Sequence, residues 1–158
     1  MRILLATDGS EQSEAAVDEI ARQRFPADSE VRVISVVEPP DFPSRFPGEG
    51  VDMSLYVEIE NTARERARAA VEKAAAQLRT AEESHQLNVT TAVLSGSPKG
   101  VILEEAEAFD ADLIVVGSHG HGILERFLLG SVSQAVALHA KCSVEIVRRP
   151  ATETSESK

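Results

Sequence analysis

Five short apolar runs, each but the last followed by a stretch of helical periodicity, constrain this chain more than any other feature. They read RILLAT (2–7), EVRVISVV (30–37), LNVTTAVLSG (87–96), ADLIVVG (111–117) and SVEIVR (143–148). Runs this short, bounded by Gly, Pro, Asp or Ser, predict strands, and the wholly apolar LIVV core of the fourth predicts burial on both sheet faces. Between them, SEQSEAAVDEIARQ places Ala16, Val17, Ile20 and Ala21 on one side at helical spacing, with Asp8 or Ser10 as N-cap. Residues 55–84 continue a long helical pattern whose buried side would be Val57, Ala63, Ala67, Ala70, Val71, Ala74 and Leu78, with Glu60 and Arg64 paired at i, i+4. SPKGVILEEAEAF predicts a helix with Ser97 as cap and Pro98 at its first position. SVSQAVALHA predicts another, opened by a capping box from Ser131 to Gln134. Strand and helix therefore alternate, and the expected fold class is α/β: a single doubly wound five-stranded parallel sheet with helices on both faces, Rossmann-like. One domain over residues 1–149 and a disordered polar tail at 150–158 account for the 158 residues.

Composition narrows the partners. A net charge of −10, with Lys and Arg scattered singly or interleaved with Glu, provides no basic patch, so binding to nucleic acid is not expected. No apolar run approaches the roughly 20 residues that cross a bilayer. The opening MRILLATDGS turns polar too soon for a signal peptide, so the expectation is a soluble, cytoplasmic protein without membrane association. A single cysteine, Cys142, forms no internal disulfide and reads as a small apolar filler.

In doubly wound sheets ligands sit beyond the carboxyl ends of the strands, where the strand order reverses. Two such ends carry residues capable of chemistry: Asp8-Gly9-Ser10 after the first run, and GSHGHGILERFLLGSVS from Gly117 to Ser133 after the fourth. They share one crevice if those strands are neighbours. Glycines at 117, 120, 122 and 130 free backbone N–H groups to face an anion, and Gly130-Ser131 opens a helix whose N-terminus carries unsatisfied donors and the positive dipole end. The same glycines also suit a plain turn, with Ser131 only a helix cap. The dinucleotide fingerprint and the P-loop are both absent, since Ile123, Leu124 and Glu125 follow Gly122 and no G-K-[ST] occurs. His119 and His121 have no companion Cys or acidic cluster for a metal and fit hydrogen bonding or charge near phosphate better. Asp8 either caps the first helix, accepts from a ribose hydroxyl, or approaches a phosphate-bound divalent cation. The long loop from Glu38 to Ser54, with four prolines, two glycines, Phe42 and Phe46, is of the kind that serves as a lid, binding loop or disordered segment.

From RILLATDGSEQSEAAV to CSVEIVRR the chain resembles the universal stress protein family, and Gly117, Gly120, Gly130 and Ser131 match the G-x2-G-x9-G-[ST] spacing of its ATP-binding branch. The resemblance implies a nucleotide-binding domain of the adenine-nucleotide hydrolase-like kind. It also implies a homodimer paired through the last strand, with Val144 and Ile146 facing the partner. By the same resemblance Ala6 and Asp8 flank adenine and ribose, and Val36 offers backbone contacts to the base. Gly117, Ser118, His119, Gly120, His121 and Gly122, with Gly130, Ser131, Val132 and Ser133, hold the phosphates of ATP, accompanied by Mg²⁺ or Mn²⁺ that Asp8 approaches. His121 stands where many members carry Arg. The function implied is that of an ATP-dependent dimeric stress-response regulator whose nucleotide occupancy orders the 38–54 loop toward protein clients. The competing readings are a slow ATPase or nucleotidyl transferase, an AMP or cyclic AMP receptor, and a nucleotide-free interaction module. For an enzyme the sequence supplies no arginine finger and no paired carboxylates.

Overall fold

A computed structural model describes residues 1–39, 53–81, 87–120 and 129–149. Nine elements alternate along them: β1 (Arg2–Ala6), α1 (Glu11–Arg22), β2 (Glu30–Val37), α2 (Met53–Thr80), β3 (Asn88–Ser95), α3 (Pro98–Ala108), β4 (Leu113–Gly117), α4 (Ser131–His139) and β5 (Ser143–Val147). The strands form one parallel sheet in the order β3-β2-β1-β4-β5. Strand β1 lies at its centre, with Ile3 opposite Val31 on one side and Leu113 on the other. This is the expected five-stranded doubly wound α/β architecture.

Alternation along each strand divides the core in two. Ile3, Leu5, Val31, Val33 and Val115 face α1 and α2, packing with Ala16, Val17, Ile20, Val71, Ala75 and Leu78. Leu4, Ile34, Ile114 and Val116 face the other way, against Ile102 and Ala106 of α3 and Val136 of α4. Residues 113–116 of β4 are buried on both faces, because a central parallel strand is roofed above and below.

Three local readings change. Helix α2 starts at Met53, earlier than expected, and Val57 is 49% exposed instead of buried. At 28 residues α2 is about 42 Å long, more than a strand of at most eight residues can underlie, so its first turns carry an apolar pattern past the end of the sheet. Burial begins at Ala67 and includes Ala75, which the pattern did not single out. Helix α4 is capped by Gly130 with no side-chain cap bond, so Ser131 is its first helical residue and not the cap of a capping box. The Glu60–Arg64 pair forms at 2.9 Å. Ser10 caps α1, accepting from Ser13 N. Most of the loop from Glu38 to Ser54, together with the tail from 150, lies outside the described residues.

Candidate functional site

The sheet order reverses between β1 and β4: from β1 the chain winds outward to β2 and β3, then returns to β4 and β5. The loops leaving β1 and β4 therefore part on opposite faces and open a crevice at the strands' carboxyl ends. A cavity of about 640 Å³ occupies it, within the range of small-ligand sites.

One end of the cavity is apolar. Ala6, Ile34, Val36 and Val116 project from three adjacent strands, and Pro98 and Ile102 come from the start of α3. These are the side chains whose alternation sends them into the α3 and α4 layer, so the wall follows from strand period and neighbour order together. The other end is built from turns. Thr7 extends β1 by donating N–H to Ile34 O at 2.9 Å. Its Oγ1 then accepts from Gly9 N at 3.2 Å and donates to Ser13 Oγ at 3.0 Å, while Asp8 Oδ1 accepts from Ser10 N at 3.0 Å. Short polar side chains thus bond their own backbone and fix the turn that presents Asp8.

Opposite Asp8, the end of β4 and the loop that follows it make two close approaches at glycines. A Cβ at Gly117 would lie 2.7 Å from the Gln12 carbonyl, so helix α1 sits directly on this residue. A Cβ at Gly120 would lie 2.5 Å from Asp8 Oδ2, so the two loops meet there. Ser118, fully buried, pins the loop to β5 and α4: its N–H donates to Val147 O at 2.8 Å, and its carbonyl accepts from Gly130 N at 2.8 Å and from Ser133 Oγ at 2.9 Å. The first turn of α4 holds no acidic residue and opens into the cavity through Ser131, Val132 and Ser133. Its leading N–H groups have no intrahelical acceptors, and the dipole makes this end positive. Among the described lining residues there is no Lys or Arg, so attraction for an anion there comes from backbone donors and the helix end.

The family model for the universal stress protein family matches residues 1–148. The chain belongs to the universal stress protein family. A universal stress protein of Methanocaldococcus jannaschii is 36% identical over 152 residues, covering 96% of this chain and 84% of its own. A putative universal stress protein of Staphylococcus saprophyticus is 31% identical over 147 residues, covering 92% and 82%. Among solved structures, hypothetical protein MJ0577, a structural-genomics test case for assigning biochemical function, superposes with a TM-score of 0.80 at 26% identity, over 96% of this chain and 97% of that one. The universal stress protein UspA of Lactobacillus plantarum gives 0.73 at 25% identity, covering 94% and 97%. A family protein of Arabidopsis thaliana with AMP bound, at 17% identity and a TM-score of 0.65 over 99% of this chain and 96% of that one, shares the fold.

For this family member, Ala6, Asp8, Val36, Gly117, His119, Gly120, Gly130, Ser131, Val132 and Ser133 all line the one cavity. Ser118 stands behind the wall, and His121 and Gly122 lie outside the described residues. The Ser133 hydroxyl donates to Ser118 O and Gly130 O, both at 2.9 Å, so it braces the loop. Among the described residues no cluster of three or more His, Cys, Asp or Glu could hold a metal, and no helix is long and apolar enough to cross a membrane. Sequence reasoning missed Thr7, Ser13, Ile34, Pro98, Ile102, Val116 and Leu129 among the lining residues. Ile34 was within reach, since it shares a strand face with Val36. Gln12, whose side chain reaches Ser118 and Arg149, gave no signal, because that contact spans more than 100 residues of chain.

Proposed function

We propose that this universal stress protein binds ATP in the crevice between β1 and β4 and acts as a nucleotide-dependent dimeric regulator. The observation that carries the reading is a cavity with an apolar end bounded by β2 and α3 and a donor-rich end where Gly117, Gly120 and the uncapped start of α4 converge. A purine suits the first end, a polyphosphate the second. Ala6 and Val36 would flank the base and Asp8 the ribose. The loop from Gly117 and the turn from Gly130 to Ser133 would hold the phosphates. Asp8 is the sole carboxylate among the described lining residues. Any Mg²⁺ or Mn²⁺ would therefore take most of its oxygens from phosphate and water. The dimer would form through β5, in the cytoplasm, and its clients would read nucleotide occupancy.

Calorimetric titration with ATP, ADP, AMP and cyclic AMP, with and without Mg²⁺, tests the reading. ATP should bind most tightly. Preference for AMP or cyclic AMP would replace it with a receptor for those ligands, and failure of all four would remove nucleotide binding altogether. Gly120→Val puts a branched side chain where Asp8 Oδ2 now lies and should abolish ATP binding with the far-UV circular dichroism unchanged; unchanged affinity would take the loop out of the site. Phosphate release at buffer background with either metal would exclude the ATPase alternative.

A further inference from the structure

The sheet ends in two strands, β3 of eight residues on one side and β5 of five on the other. Among the described residues no strand pairs with the outer side of either. A row of unpaired N–H and C=O groups is a template for any strand that meets it, so which of those groups are accessible decides how copies of this chain can add to one another.

Hydrogen bonds at its two ends orient β3. Asn88 N donates to Ser29 O and Gly96 N donates to Val37 O, both at 3.0 Å, so the even-numbered residues turn their backbone groups toward β2. Backbone direction alternates along a strand, which leaves the N–H and C=O groups of Val89, Thr91, Val93 and Ser95 facing outward. Three of these four residues are bonded to a charged side chain of α2. Arg79 Nη2 donates to the outward carbonyl of Val89 at 3.0 Å. Thr91 Oγ1 donates to Glu72 Oε1 at 3.0 Å, and Arg64 Nη2 donates to Ser95 Oγ at 2.9 Å.

The match follows from spacing. Fifteen steps of helix from Arg64 to Arg79 rise about 22 Å, and six steps of strand from Val89 to Ser95 rise about 20 Å. One stripe of a helix running antiparallel to β3 therefore accompanies its edge from end to end. A strand docking there would have to displace or dehydrate three charged groups, one of them seated on a carbonyl that the new ladder needs. At the other end of the sheet, the one charged side chain of β5, Glu145, bonds Gln23 of α1 at 2.9 Å.

We propose that Arg64, Glu72 and Arg79 close the β3 edge to strand addition and so confine edge-to-edge association of this chain to β5. Without them both ends of the sheet accept a strand, and a molecule with two open edges can add copies without limit. The inference is independent of nucleotide binding.

Light scattering on the full chain over a range of concentrations tests it. Wild-type protein should keep one mass throughout. Glu72→Leu combined with Arg79→Leu removes two of the three charged groups and leaves the net charge at −10, so any change in association is not a change in overall repulsion. Its mass should climb with concentration and reach no plateau. Adding Val93→Pro, which removes an outward N–H and no bond to β2, should return the mass to the wild-type value. Glu65→Leu combined with Arg66→Leu, the same exchange at exposed positions of α2 outside the stripe, should leave the mass constant. A wild type that itself grows, or a Glu72→Leu, Arg79→Leu protein of constant mass, overturns the proposal. So does growth that Val93→Pro fails to stop, as misfolded aggregates would show, or equal growth of the Glu65→Leu, Arg66→Leu protein.

Discussion

Two glycines of this chain are expected to respond to the same substitution with opposite signs. At Gly117 an added methyl meets the backbone of Gln12 and Ser13 within 2.8 Å. Backbone cannot rotate aside, so α1 must lift from β4, an overpacking cost of about 1–3 kcal/mol. At Gly100, inside α3, nothing lies within 4 Å of the new atom, and removing glycine's freedom in the unfolded chain should stabilise by about 0.4–1 kcal/mol. Thermal denaturation of Gly117→Ala and Gly100→Ala, compared with wild type, should show a fall in one and a rise in the other. Cys142 offers a second residue-level test. Burial pushes its thiol above the ordinary value, and only the thiolate attacks an alkylating agent. At pH 8 iodoacetamide should therefore modify the folded chain more slowly than the urea-unfolded one. The gap should narrow as the pH rises through the folded value, and since Cys142 is the sole cysteine, mass spectrometry reads the rate directly.

At the scale of elements, one hydroxyl reinforces the backbone bond that joins the loop after β4 to the start of α4. The one hydroxyl proton of Ser133 is shared between two carbonyls, those of Ser118 and Gly130, so Ser133 ties the start of α4 to the loop after β4 but, unlike an N-cap side chain, satisfies none of the helix's leading N–H groups. Ser133→Ala leaves Ser118 O its bond from Gly130 N, which limits the expected cost to about 1 kcal/mol; a chemical-denaturation midpoint shifted by more than twice that would mean that the whole loop had come loose. This brace also marks where the sequence stops being legible. All five strands and four helices could be read from periodicity, because each buries a face that must be apolar at a fixed spacing. The capping box at Ser131 was misread by one position, since Gly130 and Ser131 suit a cap equally well on local chemistry and only the carbonyl of Ser118, thirteen residues back, decides between them. Val57 was misread for a different reason. Helical periodicity reports which face is apolar, but not how far the sheet beneath it extends. The glycine spacing placed the cavity because it is local, whereas Gln12 and Ile102 enter only through the packing of distant elements.

For the whole molecule, the exposed edge of the sheet is the feature with consequences beyond one chain. Strand β5 ends the sheet, and its backbone directions can be read from its ends: Ser143 N donates to Asp112 O and Val147 O accepts from Ser118 N. Both bonds point toward β4. Backbone groups alternate along a strand, so the N–H and C=O groups of Val144 and Ile146 point the other way, to the free edge. Their side chains meanwhile pack partly on the α3 and α4 layer. Among the described residues no strand pairs with this edge, and an edge of this kind is a template for pairing with another strand; a second copy running antiparallel would close it with two-fold symmetry. Proline discriminates between the two sides of β5. Val144→Pro removes an outward donor and leaves the β4 ladder whole, so on the proposed β5 pairing light scattering should report a dimer for the wild type and a monomer for this variant, with the circular dichroism spectrum retained. Glu145→Pro removes an inward donor and should instead lower the melting temperature, because the lost bond belongs to the fold. A Val144→Pro protein that remained dimeric would place the interface elsewhere, and would separate assembly from the strand whose neighbour, β4, leads into the proposed phosphate loop.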